Sequence, residues 1–128
     1  MTKPRIQLLE GRFDIYRLPP GTAIPEAVLS ATPVWLARTE DEVSIVCRPN
    51  ADLASRAEVS ADWAAIKVLG PIEHTVVGLL ADISAALAAE KITLFAQSTF
   101  DTDYILVRSA ERERALATLA AAGYELAR

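Results

Sequence analysis

The chain has 128 residues, 52% hydrophobic and 23% charged, with a net charge of −4. That length fits one ordinary domain or two very small units, and the apolar fraction is too high for a disordered chain. The acidic balance, with lysines and arginines scattered singly, argues against a nucleic-acid partner, because phosphate-backbone binding rests on cationic neutralisation. No apolar run reaches membrane-spanning length and no charged-then-apolar leader opens the chain, so a soluble, cytoplasmic protein without membrane association is expected. A single cysteine excludes an internal disulfide and a cysteine-based zinc site. Cys47 falls in an expected strand, where a buried inert thiol is favoured over a nucleophile.

In chain order, Ile6–Leu9 reads as a short edge strand and Phe13–Leu18 alternates as a half-exposed strand. Pro19-Pro20-Gly21 stops it, and Pro25 suits the first turn of a short helix reaching Ser30. Val34–Thr39 and Val43–Arg48 form a hairpin across Glu40-Asp41-Glu42. Residues 49–62 read as a linker with some helical character around Ala51, Leu53, Ala54 and Ala57. Trp63–Leu69 is a strand closed by Gly70-Pro71. A helix follows, with Thr75 as N-cap, Val76, Leu80, Ile83 and Leu87 spaced on one buried face, and Leu79, Ala86 and Ala89 widening it. Ile92–Gln97 and Tyr104–Arg108 are β-rich and should pair as a second hairpin. Ser109 caps a last helix with Leu116, Leu119 and Ala120 buried; Gly123 ends it, and Tyr124–Leu126 is a closing strand. Trp35 and Trp63, both in strands, are expected in the core.

The second half therefore reads strand, helix, strand, strand, helix, strand. This is the split βαβ order of an α+β, ferredoxin-like unit with an antiparallel sheet and both helices on one face. The first half is a trimmed copy. A shift of sixty positions sets Thr39 on Thr99, Asp41 on Asp101, Ile45 on Ile105 and Arg48 on Arg108, while a shift of fifty-one sets Ile15 on Ile66 and Leu18 on Leu69. Residues 1–62 are expected to hold a degenerate unit plus linker, and residues 63–128 a complete one.

Gly70-Pro71-Ile72-Glu73, the long helix after it, and the string Ser98-Thr99-Phe100-Asp101-Thr102-Asp103-Tyr104-Ile105-Leu106-Val107 resemble the ACT domain. More narrowly, they resemble the tandem-ACT branch found in small bacterial tandem-ACT proteins, aspartate kinase regulatory domains and eukaryotic cytosolic arginine sensors. The resemblance is strong over Lys67–Leu126 and weak over residues 11–48. It implies a regulatory module that binds a small molecule, usually an amino acid, at an interface between ACT units. No catalytic activity is expected, and the open edge of a ferredoxin-like sheet makes a homodimer the expected assembly. Carried over by position, it makes Gly70, Glu73, Thr99, Phe100 and Asp103 the ligand contacts, with Ser98 and Asp101 flanking. The departure from the family is that these 128 residues show no catalytic domain beside the ACT-like units, which leaves open what a bound ligand would regulate.

The chemistry suits a zwitterion. A helix start after Gly70-Pro71 offers free N–H groups to a carboxylate, and Asp103 and Glu73 suit an ammonium. Acidic contacts of this kind favour a basic or small zwitterionic amino acid. Each residue also has a plainer role. Asp101 and Asp103 can be turn formers, Glu73 a favourable first-turn charge, and Phe100 a cap on the core. His74, the only histidine, has no partner for a metal site. No cofactor motif is present. The rival functions are a structural pairing domain with a vestigial site and, more remotely, a small enzyme using Glu73 and His74.

Overall fold

The structure, a computed structural model, describes residues 3–70 and 78–127. In chain order its elements are β1 (Ile6–Leu8), β2 (Phe13–Leu18), α1 (Glu26–Leu29), β3 (Trp35–Arg38), β4 (Val43–Cys47) and α2 (Ala51–Ala54). They continue as β5 (Glu58–Val68), α3 (Leu79–Ala89), β6 (Leu94–Ser98), β7 (Asp103–Arg108) and α4 (Arg112–Ala121). The chain divides into two compact units, Gly11–Asp62 and the pair of segments Met1–Glu10 and Trp63–Arg128.

In the larger unit every paired strand is antiparallel, in the order β6-β7-β5-β1. Ile66 stands opposite Ile105, Lys67 opposite Tyr104, and Ser98 opposite Asp103. Because side chains alternate across a strand, Ile66, Val68, Ile105 and Val107 share one face. There they join Ile83 and Leu87 of α3 and Ala115 and Leu119 of α4 in a single core. Lys67, Tyr104 and Arg108 project from the other face. Both helices thus cover one side of the sheet, the ferredoxin-like arrangement.

The helices differ from expectation in which residues they bury. Among the described residues α3 turns Leu79, Ile83 and Leu87 inward, and Leu80 is 37% exposed. A stripe of i, i+4, i+8 spacing already fills the contact with the sheet, which leaves the residue one step (about 100°) round the axis outside it. In α4 the buried residues are Ala115 and Leu119, with Ala120 exposed, and Ser109 opens a short 3-10 turn (Ser109–Glu111) before the helix proper. Gly123, at φ +103°, ends α4. The Gly123 amide donates to the Ala120 carbonyl at 3.0 Å and the Tyr124 amide to that of Leu119 at 3.0 Å, which satisfies two terminal acceptors. Lys91, at φ +59°, closes α3 the same way through its own amide and that of Ile92.

Residues 1–10 belong with Trp63–Arg128 rather than with the N-terminal unit. β1 pairs with β5, placing Ile6 opposite Val68, and the Ile6 side chain is fully buried in the larger core. Tyr124–Leu126 therefore does not join β5; it bridges β1 in parallel, with the Ile6 amide donating to the Glu125 carbonyl at 2.8 Å. Local pattern cannot reveal this, since either segment is apolar enough to cover that edge. Beside it the Tyr124 hydroxyl donates to the Asp82 carboxylate at 2.6 Å, and Lys3 reaches the same carboxylate at 3.0 Å. Burial and that hydrogen bond push the Tyr124 phenol well above its usual range. The Tyr124 hydroxyl, then Lys3, hold Asp82 below the usual carboxylate range.

The smaller unit keeps more of the plan than expected. Its strands run β3-β4-β2, and β5 follows β2 in the order. The Glu58–Asp62 part of β5, expected as linker, is strand. Here the Asp62 amide donates to the Asp14 carboxylate at 2.9 Å, and Arg17 meets Glu58 at 3.4 Å. With the stubs α1 and α2, all six elements of the plan are present. Asn50 caps α2, its side chain accepting from the Leu53 amide at 2.9 Å. Tyr16, Leu18, Val43, Ile45 and Cys47 face Val28 and Leu53 in this unit's core. Burial raises the Cys47 thiol, as does the nearby Asp14 charge. Burial likewise raises the Tyr16 hydroxyl, which accepts from the Asn50 amide at 2.9 Å.

The repeat is visible in the registers. Trp35 opposite Val46 and Arg38 opposite Val43 reappear, sixty positions on, as Phe95 opposite Leu106 and Ser98 opposite Asp103. For the first strand of each unit the shift is fifty, not fifty-one. Arg17 opposes Ser44 as Lys67 opposes Tyr104, so Tyr16 corresponds to Ile66 and Leu18 to Val68. The fifty-one shift matches Ile15 with Ile66 by identity, but a one-residue slip puts them on opposite faces. An aromatic pair topped by arginine also recurs. Phe13 and Trp35 lie 5.7 Å apart with Arg48 over Phe13, and Trp63 and Phe95 lie 6.4 Å apart with Arg108 over Trp63. Trp35 and Trp63 are both buried.

Candidate functional site

The turn between β6 and β7 is built by its threonines. The Thr99 amide donates to the Thr102 carbonyl at 2.8 Å, and the Thr102 amide donates back to the Thr99 hydroxyl at 3.3 Å. Thr102 is buried, and its own hydroxyl donates to the Val68 carbonyl at the end of β5. That bond ties the turn to the segment leading into Gly70. Since β5 and β7 are antiparallel, Gly70, three residues after Lys67, and Asp101, three before Tyr104, fall at the same end of the pair.

A depression of about 290 Å³ opens there, lined by Lys67, Gly70, Thr99, Asp101, Thr102 and Tyr104. Gly70, Thr99 and Asp101, three of the residues singled out from the sequence, meet in it. Ser98, Phe100 and Asp103 do not line it. Asp103 shares the core-side parity of Ile105, and its carboxylate accepts from the Ser98 hydroxyl at 2.6 Å. Phe100 is 82% exposed at the tip of the turn, so it does not cap the core. Glu73 and His74, with Pro71, Thr75 and Val76, lie outside the described residues.

Lys67 and Tyr104 were not selected from the sequence. They are a cross-strand pair, with the Lys67 ammonium 5.9 Å from the centre of the Tyr104 ring. A lone lysine within a strand has no local motif. Its parity opposite to Ile66 and Val68, three residues before Gly70, is the one signal that points it toward the depression. The site therefore offers a cation, a carboxylate, a threonine hydroxyl and an open backbone at glycine. Among the described residues no three His, Cys, Asp or Glu side chains are grouped to hold a metal ion. Among them, too, no helix is long and apolar enough to cross a membrane.

An antiparallel sheet with helices on one face, repeated in tandem and carrying a polar depression at a strand–turn rim, defines a tandem ferredoxin-like module. The ACT domain family profile matches residues 58–121, and the chain belongs to that family. It is 32% identical to an Agobacterium tumefaciens protein of known crystal structure, covering 99% of this chain and 94% of that one at a TM-score of 0.86. A Vibrio cholerae protein of unknown function, described as a possible transport protein, is 21% identical over 94% of this chain and 91% of its own, at 0.73. The ligand-free regulatory subunit of Thermus thermophilus aspartate kinase is 12% identical over 94% of this chain and 99% of its own, at 0.67. The last two likenesses are of fold. No curated protein matches the chain.

Proposed function

We propose that this chain is a non-catalytic sensor whose C-terminal ACT unit binds a free amino acid at the depression beside the Thr99–Thr102 turn. The observation that carries the reading is that Gly70, Thr99 and Asp101 line one depression sized for a single small molecule. Asp101 takes the ligand's ammonium by a charge-assisted hydrogen bond, and Thr99 offers a neutral one. Gly70 lets the ligand approach the backbone without meeting a side chain. Ser98, Asp103 and Phe100 flank this site rather than form it, and Glu73 remains a proposed contact by position in the family.

β6 ends the strand order of its unit, and pairing along that edge with a second copy is the proposed homodimer. The test of binding is a thermal-shift screen against the twenty amino acids. Ligand at a hundred times its dissociation constant stabilises the folded state by about 2.7 kcal/mol. One or a few amino acids should raise the midpoint, and Asp101→Asn should remove the rise without lowering the unliganded midpoint. If none of the twenty raises it, the sensor reading is wrong and the module serves for pairing alone.

A further inference from the structure

We infer that Lys67 is the anchor for the ligand's carboxylate and thereby the residue that limits this site to carboxylate-bearing molecules; the inference rests on the amino-acid reading above. The depression is bounded by one cation, Lys67, and one anion, Asp101. Among the described residues neither makes an ion pair, while six other cationic side chains do. The Lys67 ammonium instead lies 5.9 Å from the Tyr104 ring centre, on the helix-free face. Apart from Asp101, with which it makes no ion pair, the ammonium shares the recess with threonines, a glycine and an aromatic ring, and an anionic oxygen of the ligand is its charge match.

The molecule contains its own analogue of that match. By strand register, Arg17 occupies in the smaller unit the place that Lys67 occupies in the larger one. Arg17 already meets a carboxylate, that of Glu58, at 3.4 Å. The first copy thus fills its cation with a side chain of its own, while the second copy leaves the equivalent cation beside a depression. This division makes the C-terminal unit the binding copy. It also turns the polarity of the bound zwitterion, with its carboxylate toward β5 at Lys67 and its ammonium toward the turn at Asp101.

The experiment compares each of the twenty amino acids with its α-carboxamide, by calorimetric titration into wild-type protein, Lys67→Gln and Lys67→Arg. An amino acid that binds the wild type should lose about tenfold or more in affinity both as its amide and against Lys67→Gln, with Lys67→Arg retaining most of it. The unliganded midpoint of Lys67→Gln should match the wild type, which separates loss of contact from loss of fold. If the amide binds as tightly as the acid, or Lys67→Gln binds unchanged, the carboxylate assignment is overturned while the sensor reading stands. If no amino acid binds the wild type, both fall together.

Discussion

Thr39 and Thr99 close two turns, sixty residues apart, with the same hydrogen bonds. Each donates its amide to the carbonyl three residues on, Glu42 at 3.0 Å and Thr102 at 2.8 Å. Each hydroxyl accepts from the amide of that same residue, at 3.2 and 3.3 Å. Tandem copies are therefore matched down to a side-chain bond, although few other residues agree between them. The turn rather than the apolar strands carries the repeat's signature, because a specific hydroxyl geometry tolerates fewer substitutions than a buried aliphatic position does.

Thr99→Ala and Thr39→Ala should each lower stability by about 0.5–1.5 kcal/mol, the net worth of an ordinary hydrogen bond. Thr→Ser at either position should keep most of it. Urea unfolding of the four variants checks this, and equal midpoints for the alanine and serine forms would refute it.

Ile6→Ala should destabilise the protein by about 2–5 kcal/mol, as truncation of a fully buried aliphatic side chain does. A loss below about 0.5 kcal/mol would mean that β1 is not part of the larger core. The same denaturant titration reads it out.

Tyr124 makes stability depend on alkaline pH. Unfolded, the phenol titrates near 10.0; folded, it is held higher, chiefly by burial. The folded state then keeps a proton that the unfolded chain releases, so this stabilisation is complete below pH 10 and fades as pH rises beyond it. Asp82 works at the other end. Its folded value lies below 3.8, chiefly through the Tyr124 hydroxyl, so its contribution is present above that pH and is lost as acid protonates it. Tyr124→Phe should flatten the alkaline fall and weaken the acid one, as followed by melting midpoints across pH. An unchanged alkaline limb would exclude the coupling.

Asp101 and Asp103 should separate on binding. Asp101→Asn should weaken the best amino-acid ligand about tenfold or more, since one member of a charge-assisted bond is lost. Asp103→Asn should cost under about threefold, because that carboxylate is engaged by Ser98 outside the depression. Calorimetry on the two variants decides it, and the reverse order would move the site to the helix side of the hairpin.

Much of this was legible one segment at a time. The second hairpin, the helix stop at Gly123, the ferredoxin-like order and the pairing of Thr39 with Thr99 all rest on periods of two or 3.6 and on turn chemistry, which act between near neighbours. The same residues also carried the ACT likeness. Gly70, Thr99 and Asp101 could be picked out because they stand in short motifs.

What the chain alone left open were choices among distant partners. Ile15 could match Ile66 by identity, and only strand register, set by which side chains reach the core, moved the shift to fifty. Either Ile6–Leu8 or Tyr124–Leu126 could have covered the edge of β5, and β1 took it by burying Ile6. Lys67 became part of the site solely because antiparallel pairing sets it against Tyr104 at the mouth of the turn. Local order follows from backbone sterics and spacing; the lining of the depression comes together only once β5 and β7 have paired.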